Sequence, residues 1–175
     1  MESLLDFIKV YKGAVSSKLC DDIVHKYKDS DKFTMALTGT SVNRKIRNCY
    51  RLDLTHDKDI DKKVFNEQSD NISKYLKDFS YADVREDTGY ALLKYETGGF
   101  YSEHVDHSPD NTRAVSCSII LNDDYEGGEF SFFGREHIIK ASKGDVIMFP
   151  SNFVYRHEVL PVTKGTRYAI ITWFK

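Results

Sequence analysis

The second half of the chain, residues 88–175, is a succession of short runs rich in Val, Ile, Tyr and Phe, with turn residues between them. Runs of this composition indicate β-strands, and clusters such as those at 108–111 and 127–128 indicate tight turns. Many short strands at intervals of about 8–12 residues are typical of a sandwich or jelly-roll barrel. The predicted strands are 88–95, 99–106, 113–121, 129–133, 136–140, 144–149, 154–160 and 166–174.

The first half, residues 1–87, is more polar, and its apolar spacing predicts two helices with two strands between them. Because helices come first and strands afterwards, we expect the helices to pack outside the barrel. The predicted fold is therefore mainly β with flanking helices, in the α+β class. Its first elements are a helix from Ser16 or Ser17 to about Lys28, a strand at 33–37, a loop at 38–45, a strand at 46–54 and a helix over about 59–78.

A chain of 175 residues predicts a single domain, with 1–87 as support and 88–175 as the barrel core. A chain of this length buries roughly 70% of the surface that its unfolded form exposes, so it needs no disulfide or structural metal to fold. The formal charge of −2 provides no global basic field for nucleic acid or an anionic membrane. Neither is therefore expected as a partner.

The cysteines, Cys20, Cys49 and Cys117, are an odd and scattered set without a CxxC spacing. This usage indicates reduced thiols. The first residues do not resemble a secretory signal, and no stretch approaches the roughly 18 apolar residues of a membrane span. These features predict a cytoplasmic protein.

The segment FYSEHVDHSPD, at 100–110, places His104 and Asp106 two residues apart. Side chains at positions i and i+2 share one face of a strand, so both can point into the mouth of a barrel. His107 would then point the other way. A third ligand must come from a distant strand, and His157 is the candidate because it interrupts an otherwise apolar predicted strand.

Two histidines and one carboxylate on one side of an ion suit non-haem iron(II), since the open positions admit a chelating cosubstrate and dioxygen. Zinc also accepts this ligand set. Zinc peptidases usually present it on a helix as HExxH, a motif that this sequence lacks.

The last predicted strand carries Arg167, ten residues after His157 and in strand parity with Ala169, Ile171 and Trp173. These positions are expected to face inward. A buried guanidinium needs an anionic partner, and no carboxylate lies at an obvious cross-strand position. A dicarboxylate ligand would supply one. Alternatively, Arg167 forms a structural ion pair with one of the 27 acidic residues.

The stretches LLKYETGGFYSEHVDHS and VYRHEVLPVTKGTRYAIITWF resemble, with the residues between them, the catalytic core of the prolyl 4-hydroxylase group of 2-oxoglutarate oxygenases. The resemblance covers about 88–174, half of the chain. It implies a double-stranded β-helix, the jelly-roll or cupin-like fold of that family. It also implies iron(II), 2-oxoglutarate and dioxygen as cofactors, and it leaves a requirement for ascorbate open.

The family pattern carries over residue by residue. The HVD motif gives His104 and Asp106, and RHEV gives His157, as the metal ligands and catalytic residues. Arg167 corresponds to the basic residue that binds the distal carboxylate of 2-oxoglutarate, and Tyr95 to a tyrosine that contacts this cosubstrate. A second cosubstrate tyrosine of the oxygen-sensing members falls at Ile120, which is a departure from their pattern.

The resemblance implies hydroxylation of an unactivated C–H bond, with release of succinate and carbon dioxide, and a peptidyl proline as the expected target. A peptide or protein is thus the expected partner, while the oligomeric state stays open. One alternative is the same chemistry on a free amino acid, a lysine or a methylated nucleobase. The other is a metal-binding sensor module, against which a retained Arg167 argues.

Substrate contacts are expected from the loop at 38–48, TGTSVNRKIRN. Within it, the basic run from Arg44 to Arg47, with Arg51 beyond, is either a solvated strand edge or a guide for an acidic peptide or a nucleic acid strand. Trp173 is interpreted as core at the end of the barrel, with a role facing the substrate as the alternative.

Overall fold

The computed structural model of the protein describes residues 3–109 and 112–175. Over these ranges the chain forms a short 3-10 helix at Leu4–Phe7, two α-helices and fourteen strands. The α-helices are α1 (Ser17–Tyr27) and α2 (Lys58–Asp78), and the strands are β1 (Lys9–Tyr11), β2 (Thr34–Met35), β3 (Arg47–Asn48), β4 (Tyr50–Asp53), β5 (Ala91–Tyr95), β6 (Phe100–His104), β7 (Val115–Ile120), β8 (Glu126–Gly127), β9 (Phe130–Phe132), β10 (His137–Ile139), β11 (Val146–Pro150), β12 (His157–Val159), β13 (Val162–Lys164) and β14 (Arg167–Phe174).

In the described part of the chain the strands form two main antiparallel sheets and one small ribbon. The larger sheet has the order β1-β11-β7-β14-β5-β4-β2, and the smaller has the order β10-β9-β12-β6-β3. The ribbon pairs β13 with β8. The two main sheets face each other, so the prediction of a mainly β jelly-roll with helices outside it is confirmed.

Two hydrophobic clusters divide the molecule into layers. One lies between the sheets and combines residues of the larger sheet, such as Leu93 and Ala169, with Phe132 of the smaller sheet. The other packs the outer face of the larger sheet, including Leu92 and Ile170, against α1 and α2. Neighbouring residues of β5 and β14 thus enter different clusters, as expected because side chains of a strand alternate between its faces.

The two helices begin at capping residues. Ser16, the predicted start of α1, accepts a hydrogen bond from the Leu19 amide through its hydroxyl, at 3.3 Å. Asp57 caps α2 by accepting from the Ile60 amide at 3.3 Å. The Asp57 carboxylate also receives hydrogen bonds from Lys26 and Tyr27 of α1. One carboxylate therefore caps α2 and joins it to α1.

Each of the eight predicted strand runs of the second half overlaps a strand, but the stretch at 46–54 was wrongly predicted as one element. It forms β3 in the smaller sheet and β4 in the larger sheet, with Cys49 between them. The alternation of apolar and polar residues continues where the chain passes from one sheet to the other, so the sequence does not show that 46–54 forms two strands. The short strands β1, β8 and β13 were not predicted, and the predicted turn at 108–111 lies partly outside the described residues.

Cys20, Cys49 and Cys117 are free and buried, in agreement with the prediction of reduced thiols. Neither described helix combines the length and the apolar character that crossing a membrane requires.

Replacing Asp57 by Ala is expected to lower the free energy of unfolding by about 1–2 kcal/mol, because an N-cap acceptor is lost. Hydrogen bonds from Lys26 and Tyr27 lower the pKa of Asp57 to about 2. The stabilisation by this group is therefore fully present above the unfolded pKa of about 4 and is lost as the pH falls towards about 2. Urea denaturation between pH 7 and pH 2.5 measures both effects.

Asp70→Ala is the matched control, because Asp70 is an exposed residue in the middle of the same helix. It is expected to change stability by less than about 0.5 kcal/mol. Equal effects of the two substitutions would contradict the capping role of Asp57.

Candidate metal centre and cosubstrate pocket

Pairing of β6 with β12 brings His104 and His157 together, since the two residues are direct partners in the register of the smaller sheet. Their ring centroids are 4.3 Å apart. The Asp106 carboxylate completes the group, with its two oxygens 3.5 Å from Nε2 of His104 and 3.5 Å from Nε2 of His157. One potential ligand atom of each residue lies within 4.8 Å of the others.

Asp106 reaches this point by a route that differs from the predicted one. The predicted strand at 99–106 ends at His104, and Asp106 lies in a bend after it. Strand parity therefore does not direct its side chain. Ser116 of β7 holds the carboxylate instead, donating from its hydroxyl to Oδ2 at 2.7 Å. The Ser151 hydroxyl lies 2.7 Å from that of Ser116, so the larger sheet supports a ligand carried by the smaller one.

Backbone carbonyls orient both imidazole rings. Nδ1 of His104 lies 2.9 Å from the Ser102 carbonyl, and Nδ1 of His157 lies 3.0 Å from the Tyr155 carbonyl. A carbonyl oxygen only accepts, so each Nδ1 must carry the proton. The lone pair of each Nε2 then points towards the shared centre, which is the tautomer that a metal ligand needs.

The charge states also fit a metal site. Burial lowers the pKa of His157 to about 4, so the imidazole is neutral at physiological pH. Burial alone would raise the pKa of Asp106, but the adjacent His157 and His104 and the Ser116 hydroxyl together hold it well below its usual range. A neutral imidazole at His157 and an ionised carboxylate at Asp106 are protonation states in which these residues can ligate a divalent cation. This donor set fits iron(II), and zinc as well.

Arg167 is the first residue of β14 and is 1% exposed. Its guanidinium lies 5.2 Å from the ring centroid of Tyr95, its partner in β5, and 5.6 Å from that of Phe130. Among the described residues, none accepts a hydrogen bond from its Nε and no carboxylate pairs with it. A buried guanidinium left in this state is strongly unfavourable unless an anionic ligand compensates it.

Gly128 makes the room that Arg167 occupies. A Cβ atom at this glycine would lie 2.9 Å from Cδ of Arg167, and its backbone φ of +69° is one that other residues rarely adopt. Gly128, predicted from the sequence as part of a tight turn, therefore also leaves space for the arginine side chain.

A cavity of about 310 Å³ connects the cluster of His104, Asp106 and His157 with Arg167. Tyr95, which also lines it, is 1% exposed, and burial raises its pKa far above the usual range. Its hydroxyl consequently keeps its proton and can donate a hydrogen bond. The structure thus brings all five predicted site residues to one cavity. Ile120 instead lines a second cavity of about 160 Å³, which Arg167 also borders.

Three other cavity residues were missed or misread in the sequence. Arg47, predicted to lie on a solvated strand edge, is 9% exposed and lines the cavity. The solvated-edge interpretation was wrong because β3 enters the smaller sheet beside β6. The alternative, a guide for an acidic peptide or a nucleic acid strand, stays a prediction. Trp173 lines the cavity too, as its alternative interpretation allowed, and the Arg113 guanidinium stacks 3.6 Å from its ring centroid. His107 bonds the Arg113 carbonyl away from the cluster, as expected.

The solved structures with similar architecture include prolyl hydroxylases. A Pseudomonas putida prolyl-4-hydroxylase matches with a TM-score of 0.79 and 20% identity, over 97% of this chain and 92% of that one. A Trichoplax adhaerens prolyl hydroxylase in complex with a peptide fragment of the hypoxia inducible factor oxygen degradation domain matches with a TM-score of 0.80 and 17% identity, over 96% and 83% of the two chains. At these identities the likeness establishes the fold, and the predicted double-stranded β-helix is confirmed.

Sequence comparison finds similar proteins for the second half of the chain. A PKHD-type hydroxylase of Aliarcobacter butzleri is 40% identical over 95 residues, which are 47% of this chain and 41% of that protein. The chain thus matches less than half of the length of this curated relative. Residues 90–175 match the family model of the 2OG-Fe(II) oxygenase superfamily. The second half of the chain is therefore similar to the 2OG-Fe(II) oxygenase superfamily in sequence.

Proposed function

We propose that the protein is an iron(II)- and 2-oxoglutarate-dependent dioxygenase that hydroxylates an unactivated C–H bond of a peptidyl proline and releases succinate and carbon dioxide. One observation carries the proposal. His104, Asp106 and His157 converge in the cavity that also contains Arg167, a buried guanidinium without a carboxylate partner in the described residues. A metal ion would occupy the three-residue cluster, and a dicarboxylate bound to it would supply the anion that Arg167 lacks.

In this proposal His104, Asp106 and His157 hold the iron from one side and leave its other side open to the cavity. When bound there, iron(II) supplies the activation of dioxygen that is coupled to the decarboxylation of 2-oxoglutarate. The carbonyl hydrogen bonds at both Nδ1 atoms fix the rings, and Ser116 fixes the carboxylate. The residues therefore arrive in their ligating orientation, with little reorganisation needed when the metal binds.

Arg167 would bind the distal carboxylate of 2-oxoglutarate as a charge-assisted pair, and the Tyr95 hydroxyl would donate a further hydrogen bond. Phe130 and Phe149 line the same cavity and give it apolar walls. The low-dielectric surroundings strengthen the ion pair, because water no longer screens it.

A peptidyl target is supported by the similar prolyl hydroxylase structures, one of which was solved with a peptide. Gly39, within the loop at 38–48, borders the cavity, which supports substrate contacts from this loop. The same chemistry on a free amino acid, a lysine or a methylated nucleobase is the second candidate. A pure metal-binding sensor would have no use for Arg167 as an unpaired cation.

The domain organisation, the cellular location and the role of ascorbate are also part of the proposal. The chain would act as a single oxygenase domain, in which 88–175 form the core and 1–87 supply the supporting helices and the substrate loop. The free and buried state of the three cysteines supports a cytoplasmic location. Ascorbate would serve as a reductant that keeps the iron in the iron(II) state.

Succinate release with iron(II) and 2-oxoglutarate, measured across panels of peptides, amino acids and oligonucleotides, tests the function. Peptides that contain proline are expected to stimulate release most. His104→Ala and Asp106→Ala are each expected to abolish turnover and bound iron, because two remaining ligands hold the metal weakly. His107→Ala is the matched control and should retain both. Iron at wild-type stoichiometry in the His104→Ala protein would refute the assignment.

Arg167→Ala is expected to raise the 2-oxoglutarate concentration needed for half-maximal succinate release by a factor of tens to thousands. This corresponds to the loss of about 2–5 kcal/mol when a buried charge pair is broken. Arg167→Lys should recover part of the affinity, since it restores the charge without the planar fork. An unchanged 2-oxoglutarate requirement in the Arg167→Ala protein would exclude this residue as the carboxylate partner.

Ser116→Ala is expected to weaken iron binding by about 10–100-fold, because the hydrogen bond that orients Asp106 is lost. Competition with a chelator under anaerobic conditions measures the change. Ser118→Ala provides the control, since Ser118 is equally buried in the same strand and its hydroxyl has no hydrogen-bond partner among the described residues. Equal affinities in the two variants would argue against a role for Ser116 at Asp106.

A further inference from the structure

Two arginines besides Arg167 line the cavity, and both lie close to the metal cluster. Arg47 faces Tyr101 in the pairing of β3 with β6, with its guanidinium 4.4 Å from the ring centroid. That ring in turn stacks on His104 at 3.5 Å. Arg113 donates from Nη1 to the backbone carbonyl of Asp106 at 3.1 Å.

Arg113 is far from the proposed cosubstrate arginine. Its guanidinium stacks on Trp173, which lies six residues beyond Arg167 in β14, or about 20 Å along an extended strand. A five-carbon dicarboxylate that extends from the metal to Arg167 therefore leaves Arg113 unused. The positive charge at this end of the cavity is therefore available to another ligand.

Neither arginine has a protein anion as its partner within the ranges 3–109 and 112–175. Arg47, at 9% exposure, uses Nη1 for the Leu37 carbonyl at 3.0 Å and Nε for the Cys49 sulfur at 3.4 Å. Its Nη2 makes no hydrogen bond in the described part of the molecule. Arg113 is half-buried and likewise keeps Nε and Nη2 free among those residues. Each guanidinium thus retains N–H donors for a further acceptor.

The charges in the cavity do not balance when the metal and the cosubstrate are present. The two positive charges of iron(II) offset the two negative charges of 2-oxoglutarate, and Asp106 offsets one arginine. Two guanidinium charges remain, and their burial is unfavourable without an anion. Among the residues that the structure describes, the charged groups that line the cavity are those of Arg47, Asp106, Arg113 and Arg167.

We propose that Arg47 and Arg113 form a carboxylate-binding subsite beside the metal centre, so that the substrate presents a carboxylate next to the carbon that is hydroxylated. The inference rests on the proposed function and narrows its substrate to an anionic one. Guanidinium groups bind carboxylates through paired hydrogen bonds, for which both side chains have donors left. The carboxylate comes either from an acidic side chain beside the target residue or from the free α-carboxylate of a terminal or free amino acid.

Binding is measured by calorimetry on the full chain, loaded with iron(II) and 2-oxoglutarate under anaerobic conditions that prevent turnover. One peptide pair places Glu or Gln beside proline, with both ends blocked. A second pair ends in proline as a free acid or as an amide. A single-stranded oligonucleotide is the third probe. The member with the carboxylate is expected to bind about 10–100-fold tighter in one of the pairs, and that pair identifies the source.

Arg47→Gln and Arg113→Gln should each remove most of this preference, and Arg47→Lys should keep part of it. Arg85→Gln is the matched control, because Arg85 is exposed and lies outside the cavity lining. A purely structural role of Arg47 predicts that Arg47→Gln weakens both members of a pair equally, and that result would contradict the subsite.

Equal affinities within both pairs for the wild-type protein would overturn the proposal, as would an oligonucleotide that binds more tightly than every peptide. A different result would contradict the proposed function and leave the subsite intact. If the carboxylate peptides bind preferentially but do not stimulate succinate release, the subsite stands and the hydroxylase assignment does not.

Discussion

The antiparallel pairing of β6 with β12 is the constraint on which the site depends. It sets His104 opposite His157 across one sheet, at two points that are 53 residues apart in the chain. The rest of the cluster follows from this pairing. Asp106 lies only two residues after His104, and a hydrogen bond from Ser116 of the opposite sheet holds its carboxylate beside the two histidines. The candidate metal centre therefore uses both sheets of the barrel.

The second feature of the site is that its arginines are buried or half-buried without an anionic partner in the described residues. Hydrophobic residues between the two sheets exclude water, so each charge in this space needs a partner. Asp106 has the two histidines and Ser116, whereas Arg167, Arg47 and Arg113 have no carboxylate partner in the described residues. This excess of positive charge is the basis of the two proposals, in which a metal-bound dicarboxylate and an anionic substrate would compensate it.

Much of the fold was predictable because its signals are local. Strand alternation and turn residues revealed the strands of the core, and capping residues and apolar spacing revealed α1 and α2. The division of 46–54 into β3 and β4 was not predictable, since a strand that changes sheet keeps the same alternation. The interpretation of Arg47 as a residue of a solvated strand edge failed with it. Whether a strand residue lies at a solvated edge or in a cavity wall depends on which strand pairs with its own, and the local sequence does not show this.

The sequence by itself predicted the kind of chemistry, through the HVD motif, His157 and Arg167 and through the family resemblance that these residues carry. It also determined the β-rich core, through its composition. Only the tertiary structure decided how Asp106 is aimed, which hydroxyl supports it, and that two further arginines enter the cavity. These properties depend on contacts between distant segments, and a local pattern carries no information about which segments will meet.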